Sequence, residues 1–409
     1  MGETTPVMRI LISVAFFLLL SVTAAQAYED YENEEQQQDG FGDEDQYVYD
    51  QQNPSDINVR SITICIDENR QEVTIKGKAL HFFTTDGELI GDIEQNNQYT
   101  LRSAPDGIVV GTTPTEHRKL IARSTIGYIQ YEGKSYREDL QIVQNPDKGY
   151  SLVLVNEISM ESYLYGLINK ESLPSWKLEA KKAQAVAART YAMYRKLERP
   201  AQFCDLGHTA VDQVYGGLDS EDANSRQAVS ETHGEVLTYD NKIVKSYYHS
   251  CCGGYTASAE EVWGRAVPYL PGVRCDDCKA CPNDSWEFKI SMSELGAKLG
   301  VPQASRSRYF IDVLQRGVSG RASKIRIKYG SHTEVMNGEN FRSRLGYSVL
   351  KSTRFTFARK GGTYIFKGRG LGHGVGMCQW GAAGMAEAGS AYREILYYFY
   401  PGTIIRRVY

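Results

Sequence analysis

The chain has 409 residues, 46 Lys plus Arg against 50 Asp plus Glu, and is 42% hydrophobic and 23% charged. That length allows two or three domains at about 100–200 residues each, and near-average apolar and charged content excludes a collagenous, coiled-coil, wholly disordered or multi-span membrane chain. The net charge of −4 hides a split: residues 28–56 hold eleven acids and no base, whereas residues 57–409 hold 45 bases against 38 acids.

Arg9 is followed by an apolar run over residues 10–22 and then by Ala25-Gln26-Ala27, the order of a secretory signal with cleavage expected after Ala27. The run is short against the roughly 20 apolar residues that span a bilayer, so a membrane contact is expected only if the signal stays uncleaved. The body is expected outside the cytoplasm, periplasmic or associated with the cell wall. Residues 28–56, rich in Glu, Asp, Gln and Tyr, read as an acidic, disordered linker. From 57 to 156, period-two alternation broken by Gly, Asn and Asp reads as a β-rich module, with strands such as Ser61-Ile62-Thr63-Ile64-Cys65-Ile66.

The period changes near Ser159. Met160, Leu164, Leu167 and Glu171 fall on one helical stripe, and Pro174 ends it. A second helix is expected from about Lys177 to Leu197, with alanines on so many faces that it is buried. Residues 284–350 read as a mixed insert, and residues 392–400 as a last short helix. The fold class is therefore α+β: a β-rich N-terminal part, then a mixed core over 157–409 that holds the insert.

Four features bear on chemistry. Glu171 lies on the apolar stripe at a helix C-terminus, where burial and the macrodipole both favour the protonated acid; a protonated carboxyl in a cleft is what general-acid cleavage of a glycosidic bond needs. The alternative is a frayed helix end paired with Lys170 or Lys177. Glycines alternate from Gly368 to Gly376 around His373 and before Gln379, either as a site or as a bend where strands pack closely; no phosphate-loop or dinucleotide signature accompanies them, and no nucleic-acid partner is expected. His249-Ser250 sits at a strand end, but no nucleophile elbow supports a Ser/His hydrolase. The eight cysteines of an exported chain favour disulfides, while Cys275-x2-Cys278 and Cys281 together with Cys251 of the Cys251-Cys252 pair also offer a zinc site. Cys204 and His208 form a weaker half-site.

These segments together resemble the SpoIID/LytB family of bacterial cell-wall proteins, the stage II sporulation protein D and amidase-enhancer group. Val155-Asn156-Glu157 leads to Tyr163-Leu164-Tyr165-Gly166-Leu167-Ile168-Asn169-Lys170-Glu171 as the family's entry segment does. Residues 180–192 resemble its alanine-rich helix almost letter for letter. Gln213-Val214-Tyr215-Gly216-Gly217, His249-Ser250 and Gly372-His373-Gly374-Val375-Gly376-Met377 with Gln379-Trp380-Gly381 match in order. The resemblance implies a peptidoglycan lytic transglycosylase with Glu171 as the catalytic acid and then base, no cofactor required by the mechanism, and zinc admissible at the cysteine cluster. It implies that Gln184, Arg189, His249, Ser250, His373 and Gln379 line the cleft. The partners it implies are glycan strands and a cell-wall amidase; a non-catalytic enhancer of that amidase is the competing expectation, and a metal- or redox-responsive exported protein a third. Two departures stand out. Pro174 comes one residue later than in the family pattern. Of the His and two Cys that bind zinc in some members, only Cys204 matches, with Asp212 near the second cysteine's place.

Overall fold

The computed structural model describes residues 59–409 apart from 92, 94, 95 and 199–202. The expected signal segment and acidic linker lie outside the described residues. Among the described residues, no helix is long and apolar enough to cross a membrane.

The alternating N-terminal runs form two six-stranded sheets. In one, Ser61–Arg70 pairs antiparallel with Ser151–Ser159, which pairs with Asp139–Asn145. In the other, Glu72–Lys76 lies between Gln98–Ala104 and Tyr128–Tyr131. Ile62, Ile64, Val73 and Ile75 are buried and their polar neighbours lean outward, the pattern a half-buried strand requires. Residues 57–156 nevertheless have no core of their own. Their apolar side chains fill one continuous cluster with those of the following helices and the C-terminal segment, because Ser151–Ser159 runs straight from the sheet into the first helix.

That helix, Met160–Glu171, begins at Ser159, whose N–H and hydroxyl both donate to the Glu138 carboxylate at 2.8 and 2.7 Å. Met160, Tyr163, Leu164, Leu167 and Ile168 are all fully buried, each contributing about 1.5–3 kcal/mol of apolar burial. It ends where Ser172 turns extended and returns its N–H and hydroxyl to the Ile168 carbonyl at 2.9 and 2.6 Å; Pro174 then disfavours helix at Leu173. The second helix, Leu178–Glu198, buries Ala180, Ala183, Ala185, Ala187, Ala188 and Ala192. Those small side chains let it pack at once against the first helix, Ala223–Glu231, Gln379–Glu387, Tyr392–Phe399 and the strand Glu235–Tyr239. The C-terminal strand Ile404–Arg407 closes the body by pairing with Glu235–Tyr239.

The insert has its own hydrophobic core, from Ile290 to Phe366, between two three-stranded sheets and two short helices. It runs beyond the expected limit of 350. Phe355–Lys360 and Thr363–Gly368 pair with Trp286–Ser291, and Phe355 and Phe366 fill the same core, so the unit cannot close before Gly368. Its two ends meet: Gly370 N–H donates to the Asn283 carbonyl at 2.8 Å, and the Trp286 indole N–H donates to the Gly370 carbonyl at 2.9 Å.

Candidate active site around Glu171

Glu171 is the last residue of its helix, at the end of the buried stripe, with its side chain partly open to solvent. Three donors surround the carboxyl. The Val214 N–H donates to Oε1 at 2.7 Å and the Gln379 Nε2 to Oε2 at 3.0 Å, while the Tyr248 hydroxyl is a third hydrogen-bond neighbour. Burial pushes the carboxyl above the ordinary carboxylate range, against the pull of these three. No acidic side chain is among the groups that act on it.

Each donor has its own support. Val214 belongs to a loop pressed onto the helix at Gly166, where a Cβ would stand 2.6 Å from the Gly217 carbonyl oxygen and 2.8 Å from the Tyr215 ring. Gly216 N–H donates to the Gly166 carbonyl at 3.1 Å, and the Tyr215 hydroxyl donates to Asn156 at 2.9 Å. The Gln213 amide, fully buried, donates to the Tyr248 hydroxyl at 3.0 Å and to the Ala188 carbonyl at 3.1 Å, and accepts from the Tyr163 hydroxyl at 2.9 Å. Tyr248–His249 pairs in parallel with Met377–Cys378, which delivers Gln379 at the start of the helix Gln379–Glu387. Gln184 stands at 3.5 Å from the Gln379 amide. Beside them Trp176 and Trp380 meet edge to face, 5.3 Å between ring centroids, both half-buried.

Of the residues expected to line the cleft, Gln184 and Gln379 gather at Glu171. Arg189 does not. It is fully buried on another face of its helix, bidentate to Glu161 at 2.9 and 2.6 Å and bonded to the Glu235 carbonyl at 3.0 Å, so its charge is spent inside the protein. His249 and His373 also do not approach the carboxyl. Neighbours along a strand face opposite ways, so Tyr248 looks toward Glu171 and His249 away from it, its Nδ1 at 3.1 Å from the Val375 carbonyl. His373 accepts the Val375 N–H at Nδ1 (3.1 Å) and sets Nε2 at 3.0 Å from the Tyr248 carbonyl. Both ring nitrogens are thus engaged by backbone, and burial followed by the Arg342 charge pulls this imidazole down to about 3. Burial and the neighbouring His373 and Arg321 hold His249 well below its usual value too. Ser250 lies at the strand end, its carbonyl accepting the Trp380 N–H at 3.1 Å. The alternating glycines serve close packing: Gly370, Gly372, Gly374 and Gly376 all have φ between 72° and 103° and lie directly on Cys251, His249, Arg321 and Tyr247. Val214, Gln213, Tyr248 and the tryptophan pair were not singled out as site residues from sequence.

The cysteines divide differently from expectation. Cys65 and Cys204 form a disulfide, and Asp212 is taken by the Gly207 N–H at 2.9 Å and by Arg195 at 3.4 Å. The zinc arrangement implied by the resemblance therefore does not fit the residues after the alanine-rich helix. In the second cluster, the four sulfurs that converge are those of Cys252, Cys275, Cys278 and Cys378; Cys251 and Cys281, expected among the ligands, stand outside that group.

A family model described as "Stage II sporulation protein" matches residues 148–239, the segment that holds Glu171, Gln184 and Val214. A second, described as a domain of unknown function (DUF8618), matches residues 283–376, the insert and the glycine loop. An uncharacterized protein of Brachyspira hyodysenteriae is 39% identical over 259 residues, covering 62% of this chain and 68% of that one. Stage II sporulation protein D of Bacillus amyloliquefaciens is 32% identical over 266 residues, covering 61% and 75%. The amidase enhancer of Bacillus subtilis is 31% identical over 291 residues, covering 59% of this chain and 40% of its own length. The entry strand and helix, the alanine-rich helix and the loop that bonds Glu171 all fall in the region these comparisons share, and the chain belongs to the SpoIID, or stage II sporulation protein D, family.

Proposed function

We propose that this protein is an exported lytic transglycosylase that cleaves peptidoglycan glycan strands, with Glu171 as its one acid–base group. The observation that supports this reading is a carboxyl lifted by burial while each of its oxygens accepts a fixed donor. Burial favours the protonated form that gives its proton to the glycosidic oxygen between N-acetylmuramic acid and N-acetylglucosamine. The three donors favour the carboxylate that remains, which then takes the proton of the muramic C6 hydroxyl as that oxygen closes an anhydro ring. One group serves both steps, so no second carboxylate is required. Trp176 and Trp380 offer apolar faces of the kind that pack against sugar rings. The Cys65–Cys204 disulfide suits an oxidising compartment, periplasmic or at the wall.

The amidase-enhancer relative supplies a second reading, in which the chain binds glycan and stimulates a partner amidase without cleaving the strand. One experiment separates the two: incubation with denuded peptidoglycan, wild type against Glu171→Gln, with anhydromuramic products read by mass spectrometry. The transglycosylase reading expects product from the wild type and a loss of about a hundredfold or more in the variant. Equal product from both refutes it.

A further inference from the structure

Cys252 lies in the turn after the strand Tyr248–His249, Cys275 and Cys278 in one loop, and Cys378 directly before the helix Gln379–Glu387. All four are buried, unbonded to one another, and have their sulfurs within 4.8 Å of each other, with Cys252 and Cys278 at 3.5 Å. A tetrahedral zinc ion with bonds of about 2.3 Å sets its sulfurs about 3.8 Å apart. The surroundings suit thiolates. Backbone N–H groups of Gly254, Cys252 and Gly381 donate to the sulfurs of Cys252 (3.3 Å), Cys378 (3.2 Å) and Cys378 (3.3 Å). Gly381 leaves room for the group, since a Cβ there would stand 2.5 Å from the Cys275 sulfur.

Arg321 is the independent observation. It reaches from the insert into this region and is 1% exposed. Its Nε donates to the His373 carbonyl and its Nη2 to the Cys252 carbonyl, both at 3.3 Å, while Nη1 has no partner. Among the described residues no carboxylate forms an ion pair with it, and a buried guanidinium without a counter-charge is costly. Four thiolates around a divalent ion carry a net charge of −2, beside the one cation that lacks an anion.

We propose that Cys252, Cys275, Cys278 and Cys378 bind one zinc ion as a closed, structural tetrathiolate site, with Arg321 as its buried counter-charge. Binding one Zn²⁺ releases the four thiol protons and changes no oxidation state. The site ties three segments together, and Cys378 precedes the Gln379 that donates to Glu171, so the ion positions that amide. This last consequence rests on the catalytic reading of Glu171; the metal site does not.

The test takes the full exported chain, purified without chelator or reductant. Elemental analysis is expected to find one zinc per chain, and denaturation with a chelator to expose at least four titratable thiols. Cys252→Ser and Cys378→Ser are expected to lose the ion while the double variant Cys65→Ser, Cys204→Ser keeps it. Arg321→Met is expected to weaken zinc retention against a competing chelator by about 10–100-fold. Fewer than four thiols, no uptake when zinc alone is added, iron in its place, or full zinc in the Cys378→Ser variant would each overturn the proposal. For the positioning of Gln379, removing zinc from the folded wild type is expected to move the alkaline limb of the pH–rate profile as a Gln379 substitution does. A loss of rate with an unmoved limb would refute that part. If no anhydro product forms at all, the catalytic reading fails and the metal measurements still decide the site.

Discussion

Gly166→Ala isolates the contact that holds Val214 over Glu171. In an exposed helix the change would stabilise by about 1 kcal/mol. Here the new methyl would stand 2.6 Å from the Gly217 carbonyl oxygen and 2.8 Å from the Tyr215 ring, and neither neighbour yields easily. Tyr215 is buried and anchored to Asn156 at 2.9 Å. Gly217, at φ 66°, has its Cβ direction closed by the Ser135 carbonyl oxygen at 2.4 Å. Overpacking of this kind costs about 1–3 kcal/mol, and displacing the loop sacrifices the Gly216 N–H bond to the Gly166 carbonyl, worth about 0.5–1.5 kcal/mol. The balance is a net loss of about 0.5–3.5 kcal/mol, so destabilisation wins over propensity. Because Val214 sits two residues before Gly216, the same shift draws its N–H off the carboxyl, and a displacement near 1 Å can cost on the order of a hundredfold in rate. Urea unfolding read by tryptophan fluorescence gives the stability, and anhydromuramic product by mass spectrometry gives the rate. An unfolding free energy equal to or above that of the wild type, with the rate intact, would show that the loop is free to move and refute this account.

Two further substitutions read the electrostatics. Gln379→Leu and Tyr248→Phe each remove a donor that favours the Glu171 carboxylate, so the carboxyl, already raised by burial, goes higher. Since the acid form begins the reaction, the rate falls as pH rises through this group's pKa, and both variants are expected to carry that alkaline limb to higher pH at a lower maximum; a limb that stays or moves down contradicts the assignment. Arg189→Lys cannot keep both bonds to Glu161 and the bond to the Glu235 carbonyl. It is expected to cost about 3–5 kcal/mol of stability, as breaking a buried pair does, with KM unchanged in the folded fraction; a raised KM at undiminished stability would return Arg189 to the cleft.

How much of this was legible in the sequence depends on how far apart the interacting residues are. The strands around Ile62 and Ile142 and the helix ending at Glu171 follow from local period, and burial completes what the period starts. Glu171 itself stood out because a carboxylate at the end of a buried stripe is anomalous without any partner known. Its partners were harder. The Val214 donor is a backbone N–H, which no side-chain pattern marks, and Tyr248 faces the site only because its strand places His249 on the other side. Arg189 shows the converse: Glu161, 28 residues earlier, claims its guanidinium, and nothing in the alanine-rich helix alone records that pairing. Cys378 joins Cys252, Cys275 and Cys278 from nearly a hundred residues beyond the last of them, and close spacing therefore favoured Cys251 and Cys281 in its place. The insert's limit was misjudged for a related reason. Phe355 and Phe366 alternate like any edge strand until pairing with Trp286–Ser291 shows which core they complete.

The meeting of the insert's ends at Asn283 and Gly370 means that the body sees the insert as little more than a tight turn. Whatever lies between can lengthen, shorten or change its surface without altering the spacing of the strands on either side. Arg321 is the exception, a single side chain threaded back through that doorway. The body can thus register, through one buried charge, whether the insert is folded and seated.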